Sequence, residues 1–306
     1  MNEIAFSFII PHKNTPDLLQ KCLDSIPRRD DVQIIVVDDN SDPEKVDFDH
    51  FPGLEDSMVE VVFDKKGGGC AYATNIALDH AVGKWVVRAD ADDFFCPDIA
   101  VAMDENRDAQ FVFAKLEAFG DNETFNELYN TGKVFDYSFF SFPTKQQYEH
   151  MVFNNAHLPA PTFFCNRKAF SLLGVVNDER IPYAEDEAKW LNMLKKGARF
   201  YFVDEYTVRY RFGHPEALSS NGGIKRTSVE RYKSNRAFNL LYKFPDQYAL
   251  NPDEALNKLI ELEARVYGDY YNMAERYDAI NSSYAYKIGK IIMKPFSFVR
   301  HKILKK

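Results

Sequence analysis

The hydrophobic pattern of the first hundred residues switches between two periods. Phe6-Ser7-Phe8-Ile9-Ile10 is short, apolar and closed by Pro11, which predicts a buried strand. Thr15 offers an N-cap and Pro16 a first helical position, and Leu18, Leu19, Cys22, Leu23 and Ile26 follow at helical spacing. Ile34-Ile35-Val36-Val37 is then a continuous β-branched run ending at Asp38 and Asp39, the pattern of a parallel strand covered on both faces. Strand, helix and strand in that order form a βαβ unit. Met58–Phe63 predicts a third strand, Gly67-Gly68-Gly69 a loop, Tyr72–Ala81 a helix and Trp85-Val86-Val87 a fourth strand.

Beyond this point the pattern loses its regularity. From Phe111 to Pro182 short strands, turns and aromatic residues alternate without a traceable period. Order returns at Glu185-Asp186-Glu187, which opens a helix through Trp190, Leu191 and Leu194 to a stop at Gly197. Arg199–Val203 and Thr207–Phe212 read as two further strands. After Ile224 the pattern is helical, with Leu256, Leu259, Ile260, Leu262 and Val266 on one helix and no internal repeat. The expected class is α/β, a Rossmann-like, mostly parallel sheet with flanking helices, followed by a helical extension.

Composition narrows the class further. At 306 residues the chain suits one large domain plus an appendage. A hydrophobic content of 45%, with 26 Phe and 17 Tyr, supplies a core and sets aside the disordered and fibrous classes. A formal charge of −8 disfavours nucleic acid as a partner. That charge is unevenly spread: from Ala279 onward no acidic residue occurs, whereas Lys287, Lys290, Lys294, Arg300, Lys302, Lys305 and Lys306 are basic. Cys22, Cys70, Cys96 and Cys165 have neither disulfide-framework nor zinc spacing. With no cationic leader and no apolar run near the ~18 residues that span a bilayer, the expected location is the cytoplasm.

The candidate chemistry begins at Asp90-Ala91-Asp92-Asp93, at the carboxyl end of the fourth predicted strand. In open parallel sheets ligands bind outside that end, so Asp38 and Asp39 would share its edge. Carboxylates in one crevice raise each other's pKa unless a cation lies between them. Mg²⁺ or Mn²⁺ takes one or two carboxylates and fills its shell with water and phosphate oxygens, which suits Asp-x-Asp facing a diphosphate. Taken alone, the cluster equally suits a solvated turn or a helix N-terminus.

Its context is more specific. Ile9-Ile10-Pro11-His12-Lys13-Asn14, then Val36-Val37-Asp38-Asp39-Asn40-Ser41, then Gly68-Gly69 with Ala73-Thr74-Asn75 and Gly83, then the acidic cluster resemble family 2 glycosyltransferases in order and spacing over roughly the first 100 residues. The resemblance implies the GT-A fold, an inverting transfer and a nucleoside-diphosphate sugar donor, with UDP expected. It implies a catalytic domain of residues 1–222, whose nucleotide-sugar half is about 1–105 and acceptor half about 106–222, and a helical extension over 223–306. The donor-binding residues it implies are Pro11, His12, Asn14, Asp39, Gly68, Asn75 and Asp90, with Asp92 and Asp90 on a divalent metal, Mn²⁺ or Mg²⁺. Two positions depart from the family. Thr74 stands where it usually carries Arg, and Gly67 where it carries Asn. Arg88 occupies a strand position the family usually fills with an apolar residue; it is a candidate replacement for the lost charge, although strand alternation can point it elsewhere.

Further along, Tyr183-Ala184-Glu185-Asp186 resembles the family's Glu-Asp motif at a helix start, which makes Asp186 the general base beside Glu185. An acceptor hydroxyl has a pKa far above neutrality, so a carboxylate must take its proton as the new bond forms. The bland reading is ordinary N-terminal helix charge. Tyr210-Arg211-Phe212-Gly213-His214-Pro215 resembles the family's Tyr-Arg-x-His segment, implying Arg211 on the departing phosphates and His214 on the metal or diphosphate. Asn155, His157 and Pro161 are candidates for a sugar-selecting pocket. The basic, amphipathic segment Tyr284–Lys306 suits an anionic bilayer interface on the inner face of the cell membrane, or an ordinary helix packed on the body.

The expected function is transfer of a sugar to a hydroxyl of a glycan or lipid-linked glycan acceptor. A sugar-1-phosphate nucleotidyltransferase would need a glycine-rich basic loop after the first strand, and a dinucleotide oxidoreductase a Gly-x-Gly-x-x-Gly there. Pro11-His12-Lys13-Asn14 is neither. The remaining rival is a catalytically inactive nucleotide-binding or scaffold protein of a glycan-assembly complex.

Overall fold

The computed structural model describes residues 3–96, 99, 109–120, 123–131, 134–135, 137–154, 158–181, 185–211, 241 and 283. Two compact units divide the chain, Met1–Lys225 with Phe238–Pro245, and Arg226–Ala237 with Asp246–Lys306. Every element below belongs to the first. The expected helical extension and the basic segment Tyr284–Lys306 lie outside the described residues, apart from residues 241 and 283.

The predicted βαβ unit forms from β1 (Phe6–His12), α1 (Pro16–Ser25) and β2 (Val32–Asp39). It is followed by β3 (Val59–Asp64), α2 (Cys70–His80) and β4 (Trp85–Arg88). These strands are parallel in the order β3-β2-β1-β4, and β1, β2 and β4 are buried along almost their whole length because helices cover both faces. Even-numbered positions Phe8, Ile10, Ile34 and Val36 join Leu19, Cys22 and Leu23 of α1 in one core. The opposite face receives α2, whose buried Ala71, Ala73 and Ala77 let its backbone come close to the sheet. Gly83 is needed for a similar approach, since a Cβ there would stand 2.7 Å from the Ser7 nitrogen.

The second half of the sheet is mixed. The remaining strands are β5 (Phe94–Phe95), β6 (Phe111–Phe119), β7 (Phe164–Asn166) and β8 (Tyr201–Arg211), and the full order is β3-β2-β1-β4-β7-β6-β8-β5. β7 is antiparallel to both neighbours, β4 and β6, while β6 and β8 are parallel. The helices of this half are α3 (Glu123–Asn130), α4 (Thr144–Asn154), α5 (Arg167–Leu173) and α6 (Glu185–Lys195). The expectation of a mostly parallel sheet therefore describes the first half, and an antiparallel insertion joins the second to it.

The irregular middle segment resolves into physical causes. β6 is nine residues long, but Phe111 to Ala114 are buried on both faces, so alternation begins only at Lys115. Val112, Ala114 and Leu116 enter the α1 core. Phe113 instead meets Phe163, Trp190 and Phe200 with ring centroids 5.0, 5.1 and 5.3 Å away. The two strands expected over 199–212 are a single strand, β8, with register shifts against β6 at Lys115 where the apolar pattern breaks. α2 starts at Cys70 rather than Tyr72, with Gly69 before it at φ 92°, a conformation glycine adopts without strain. Among the described residues no helix is long and apolar enough to cross a membrane.

Candidate active site

The parallel register brings the carboxyl ends of β1, β2 and β4 to one edge, with His12 opposite Asp38 and Ile9 opposite Arg88. At the β1–β2 corner the His12 ring and the Asp38 carboxylate are answered from within. His12 Nδ1 lies 2.8 Å from Asp38 Oδ1, and its Nε2 accepts from the Thr15 N–H at 3.1 Å. The second bond makes Nδ1 the donor to Asp38. Asp38 also accepts from the Ser41 N–H and hydroxyl, at 3.0 and 2.5 Å. Burial alone would raise its carboxyl, but these bonds hold it below its usual value.

His12, implied as donor-binding, is 2% exposed with both ring nitrogens bonded internally, so it fastens the ends of β1 and β2. Thr15 precedes α1 as expected, but its side chain makes no capping bond. Asn14 adopts φ 61°; its N–H donates to the Ser41 hydroxyl and its amide oxygen accepts from the Asp42 N–H, so it shapes the corner beside Pro11. Asp39 accepts the Gly69 N–H on both oxygens, at 3.1 and 3.0 Å, and Lys13 Nζ at 3.3 Å. These contacts tie the glycine loop, including Gly68, to the end of β2.

The end of β4 is built differently. Arg88 is buried, and the alternation of β4 turns it into the site rather than away. Its Nε and Nη2 lie 3.3 and 3.2 Å from Asp90 Oδ1, and Nη2 also reaches Glu185 Oε1 at 3.1 Å and Cys70 Sγ at 3.6 Å. The Asp-x-Asp segment and the Glu-Asp segment, 95 positions apart, thus meet on one guanidinium. Asp92 takes no hydrogen bond or ion pair from any other described residue. Burial, then the Asp90 charge, push its carboxyl up to about 6. Asp93 is buried; Oδ1 accepts the Arg211 N–H at 2.9 Å, while Oδ2 has no partner among the described residues. Its carboxyl is held well above the usual range by burial and by Asp92 and Asp90.

Arg211 ends β8, and β5 pairs with that strand, so the residue after the acidic cluster is pinned beside it. The Arg211 guanidinium lies over the Phe94 and Phe119 rings at 5.5 and 5.2 Å, and its Nε is buried without a hydrogen-bond partner among the described residues. The resemblance implies this arginine on the departing phosphates; its backbone N–H is what bonds Asp93.

On α6, Asp186 accepts from the Glu187 N–H at 2.8 Å, and burial followed by the Glu185 charge push it up to about 6. One turn on, Lys189 is 5% exposed, with its ammonium over the Trp190 ring at 4.3 Å and no carboxylate bonded to it among the described residues. Burial, then Arg88, bring it down to about 8. Sequence reasoning missed this lysine, although its place three residues after Asp186 within the run Ala188–Leu191 was the available signal. Beside it a cavity of about 20 Å³ is lined by Arg88, Lys189 and Asn177 together with apolar Ile9, Val86 and Phe163.

Asn75, implied as donor-binding, lies on α2. Its amide donates to the Asn177 carbonyl at 2.9 Å and to Glu179 Oε1 at 3.4 Å and accepts the Asn177 N–H at 3.0 Å, so it fastens the segment around 177 to α2. Pro161 is buried in a short 3-10 turn. Asn155, His157 and His214 lie outside the described residues.

Among the described residues no group of three or more His, Cys, Asp or Glu side chains could by itself hold a metal ion. Asp92, without a partner among the described residues, and Asp90, bonded to Arg88 through one oxygen, nevertheless fit a hard ion that draws most of its shell from water and phosphate.

A family model described as Glycosyl transferase family 2 matches residues 7–173. The glycosyltransferase GlyG of Streptococcus pneumoniae serotype 4 is 23% identical over 238 residues, covering 75% of this chain and 75% of GlyG. S. aureus TarS 1-349 in complex with UDP-GlcNAc superposes with a TM-score of 0.53 at 16% identity, covering 81% of this chain and 76% of that one. Against another TarS 1-349 structure the match spans 64% of that chain's length. The mannosyltransferase PcManGT from Pyrobaculum calidifontis, in complex with GDP-Man and Mn²⁺, superposes with a TM-score of 0.51 at 17% identity, covering 97% and 81%. At these identities the structural likeness establishes the fold, GT-A.

Proposed function

The chain belongs to glycosyl transferase family 2, and from that premise we propose an inverting, metal-dependent enzyme that moves a sugar from a UDP-sugar to a hydroxyl of a glycan or lipid-linked glycan. The observation that carries the reading is the convergence of Asp90 and Glu185 on Arg88, with Asp92 two residues beyond the first, Asp186 directly after the second, and both raised to about 6. One pair of carboxylates serves the donor and the other the acceptor. UDP-GlcNAc bound by TarS and GDP-Man with Mn²⁺ bound by PcManGT support a nucleotide sugar and a divalent ion on this fold.

In this reading Pro11, Asn14 and Gly68 shape the nucleotide pocket, Asp39 meets the base, and Asp92 with Asp90 holds Mn²⁺ or Mg²⁺. The bound ion would neutralise charge developing on the leaving diphosphate. Asp186, ionised above about pH 6, takes the acceptor hydroxyl proton while the acceptor oxygen attacks the anomeric carbon. The diphosphate departs from the opposite face, and the anomeric centre inverts. Arg211, with an uncommitted buried Nε, presents its cation to the departing phosphates.

Calorimetric titration with UDP, with and without Mn²⁺, tests the assignment together with a screen of nucleotide sugars. Binding that strengthens with Mn²⁺ is expected. Absence of UDP binding in either condition would sink the transferase reading and favour a scaffold.

A further inference from the structure

The Arg88 side chain is 8% exposed and bonds to residues of three different segments. Its Nη2 carries two protons but faces three acceptors, Asp90 Oδ1, Glu185 Oε1 and Cys70 Sγ, so these acceptors share it. Both Arg88 contacts to Asp90 fall on Oδ1, and Oδ2 takes no hydrogen bond from any described residue. The Asp90 side chain is 29% exposed against 13% for Glu185, so Asp90 is the partner a solute can approach. A buried guanidinium left without its carboxylates is strongly disfavoured. Glu185 can therefore retain Arg88 when Asp90 turns to another cation.

We propose that Arg88 is a positioning residue that competes with the divalent ion for Asp90 and hands the released charge to Glu185, coupling donor arrival to the start of helix α6. The inference rests on the transferase reading for the identity of the ion. The mechanical consequence is specific. Loading the donor side tightens the Arg88–Glu185 pair next to Asp186, so the acceptor side is set only once the donor is in place. Arg88 and Glu185 then act with opposite sign on the same ion: removing the arginine frees Asp90, whereas removing the Glu185 charge leaves the arginine wholly to Asp90.

The test is Mn²⁺ half-saturation of the full chain, read from the rise in unfolding temperature with UDP present and no acceptor. Arg88→Met is expected to lower the half-saturating Mn²⁺ concentration roughly tenfold. Glu185→Gln is expected to raise it severalfold, and Arg88→Lys to restore a value near wild type. An Arg88→Met protein with unchanged or weaker Mn²⁺ response overturns the inference, as does a Glu185→Gln protein that binds Mn²⁺ as well as wild type or better. If Arg88→Met does not fold, Glu185→Gln alone decides by the same criterion. A wild type unresponsive to Mn²⁺ would overturn the metal reading instead. Arg88 would then be judged by the metal-free unfolding cycle of Arg88→Lys with Asp90→Asn: coupling of about tenfold in the folding equilibrium supports the pairing, and simple additivity overturns it.

Discussion

At the carboxyl end of β2, Asp38 accepts bonds from His12 and Ser41, and Asp39 from Gly69 and Lys13. At the end of β4, Asp92 has no partner among the described residues, one oxygen of Asp93 has none, and Asp90 shares a single guanidinium with Glu185. One is an acidic pair and the other an acidic trio, both at strand ends on one edge of one sheet. The first is saturated by protein donors and its Asp38 carboxyl is lowered; the second is short of donors and its Asp92 and Asp93 carboxyls are raised. An acidic pair at a strand end is therefore uninformative until its donors are counted. A deficit of donors, maintained in a buried place, marks where the protein relies on a cation or a proton from outside itself.

Asp186→Asn gives the sharpest contrast between these regions. Turnover should fall by about 10²- to 10⁴-fold, while UDP affinity measured by calorimetry stays within a factor of about two, because the change lies on the acceptor side. Retained turnover would remove Asp186 from the mechanism. Next in size, Asp92→Asn should abolish the Mn²⁺-dependent gain in UDP affinity; persistence of that gain would move the ion elsewhere. The pH dependence comes third. With Asp186 raised to about 6, kcat/KM should climb about tenfold per unit below pH 6 and level off above it. A profile flat from pH 5 to 7 would mean that no raised carboxylate limits the reaction.

The parallel half was legible because β-branched runs such as Ile34–Val37, separated by the helical spacing of Leu18 to Ile26, leave one interpretation. β7 and β5, three and two residues long, are too short to have a period, and they exist because β4, β6 and β8 offer them edges. β6 was hidden by its own burial: Phe111, Val112, Phe113 and Ala114 are all inside, on both faces. At the site, residue types were legible and their commitments were not. His12, Asp38 and Asn75 resemble ligands in composition, yet each is engaged by a neighbour distant in sequence, at 26 positions for His12 and Asp38 and 102 for Asn75 and Asn177. Arg88 was the converse, an anomaly in a strand whose direction depended on register with β1. Lys189 sits on a helix whose burial depends on the aromatic cluster around Phe113, which no local pattern reveals.

Stability against pH breaks the comparison in the most direct way, with smaller effects of opposite sign. Asp38 has a lowered folded pKa, so its charge stabilises the protein above the unfolded value of about 3.9, and that contribution disappears as pH falls through the folded value. Asp38→Asn should therefore lower stability at pH 7 by about 1–3 kcal/mol, since His12 and Ser41 lose a charged acceptor in a buried place. The deficit should narrow on acidification. Asp92 has a folded pKa raised to about 6, so the folded state holds its proton more tightly than the unfolded chain does. Its contribution is favourable at low pH and is lost as pH rises from about 4 to 6. In chelator-treated protein Asp92→Asn should accordingly raise the unfolding midpoint at pH 7, by less than Asp38→Asn lowers it, and the gain should vanish toward pH 4. Urea unfolding of the three proteins from about pH 2.5 to 8 measures both slopes. Midpoints that shift in the same direction at pH 7 would mean that the two strand ends are electrostatically alike, and the distinction between a saturated corner and a donor-poor one would fall.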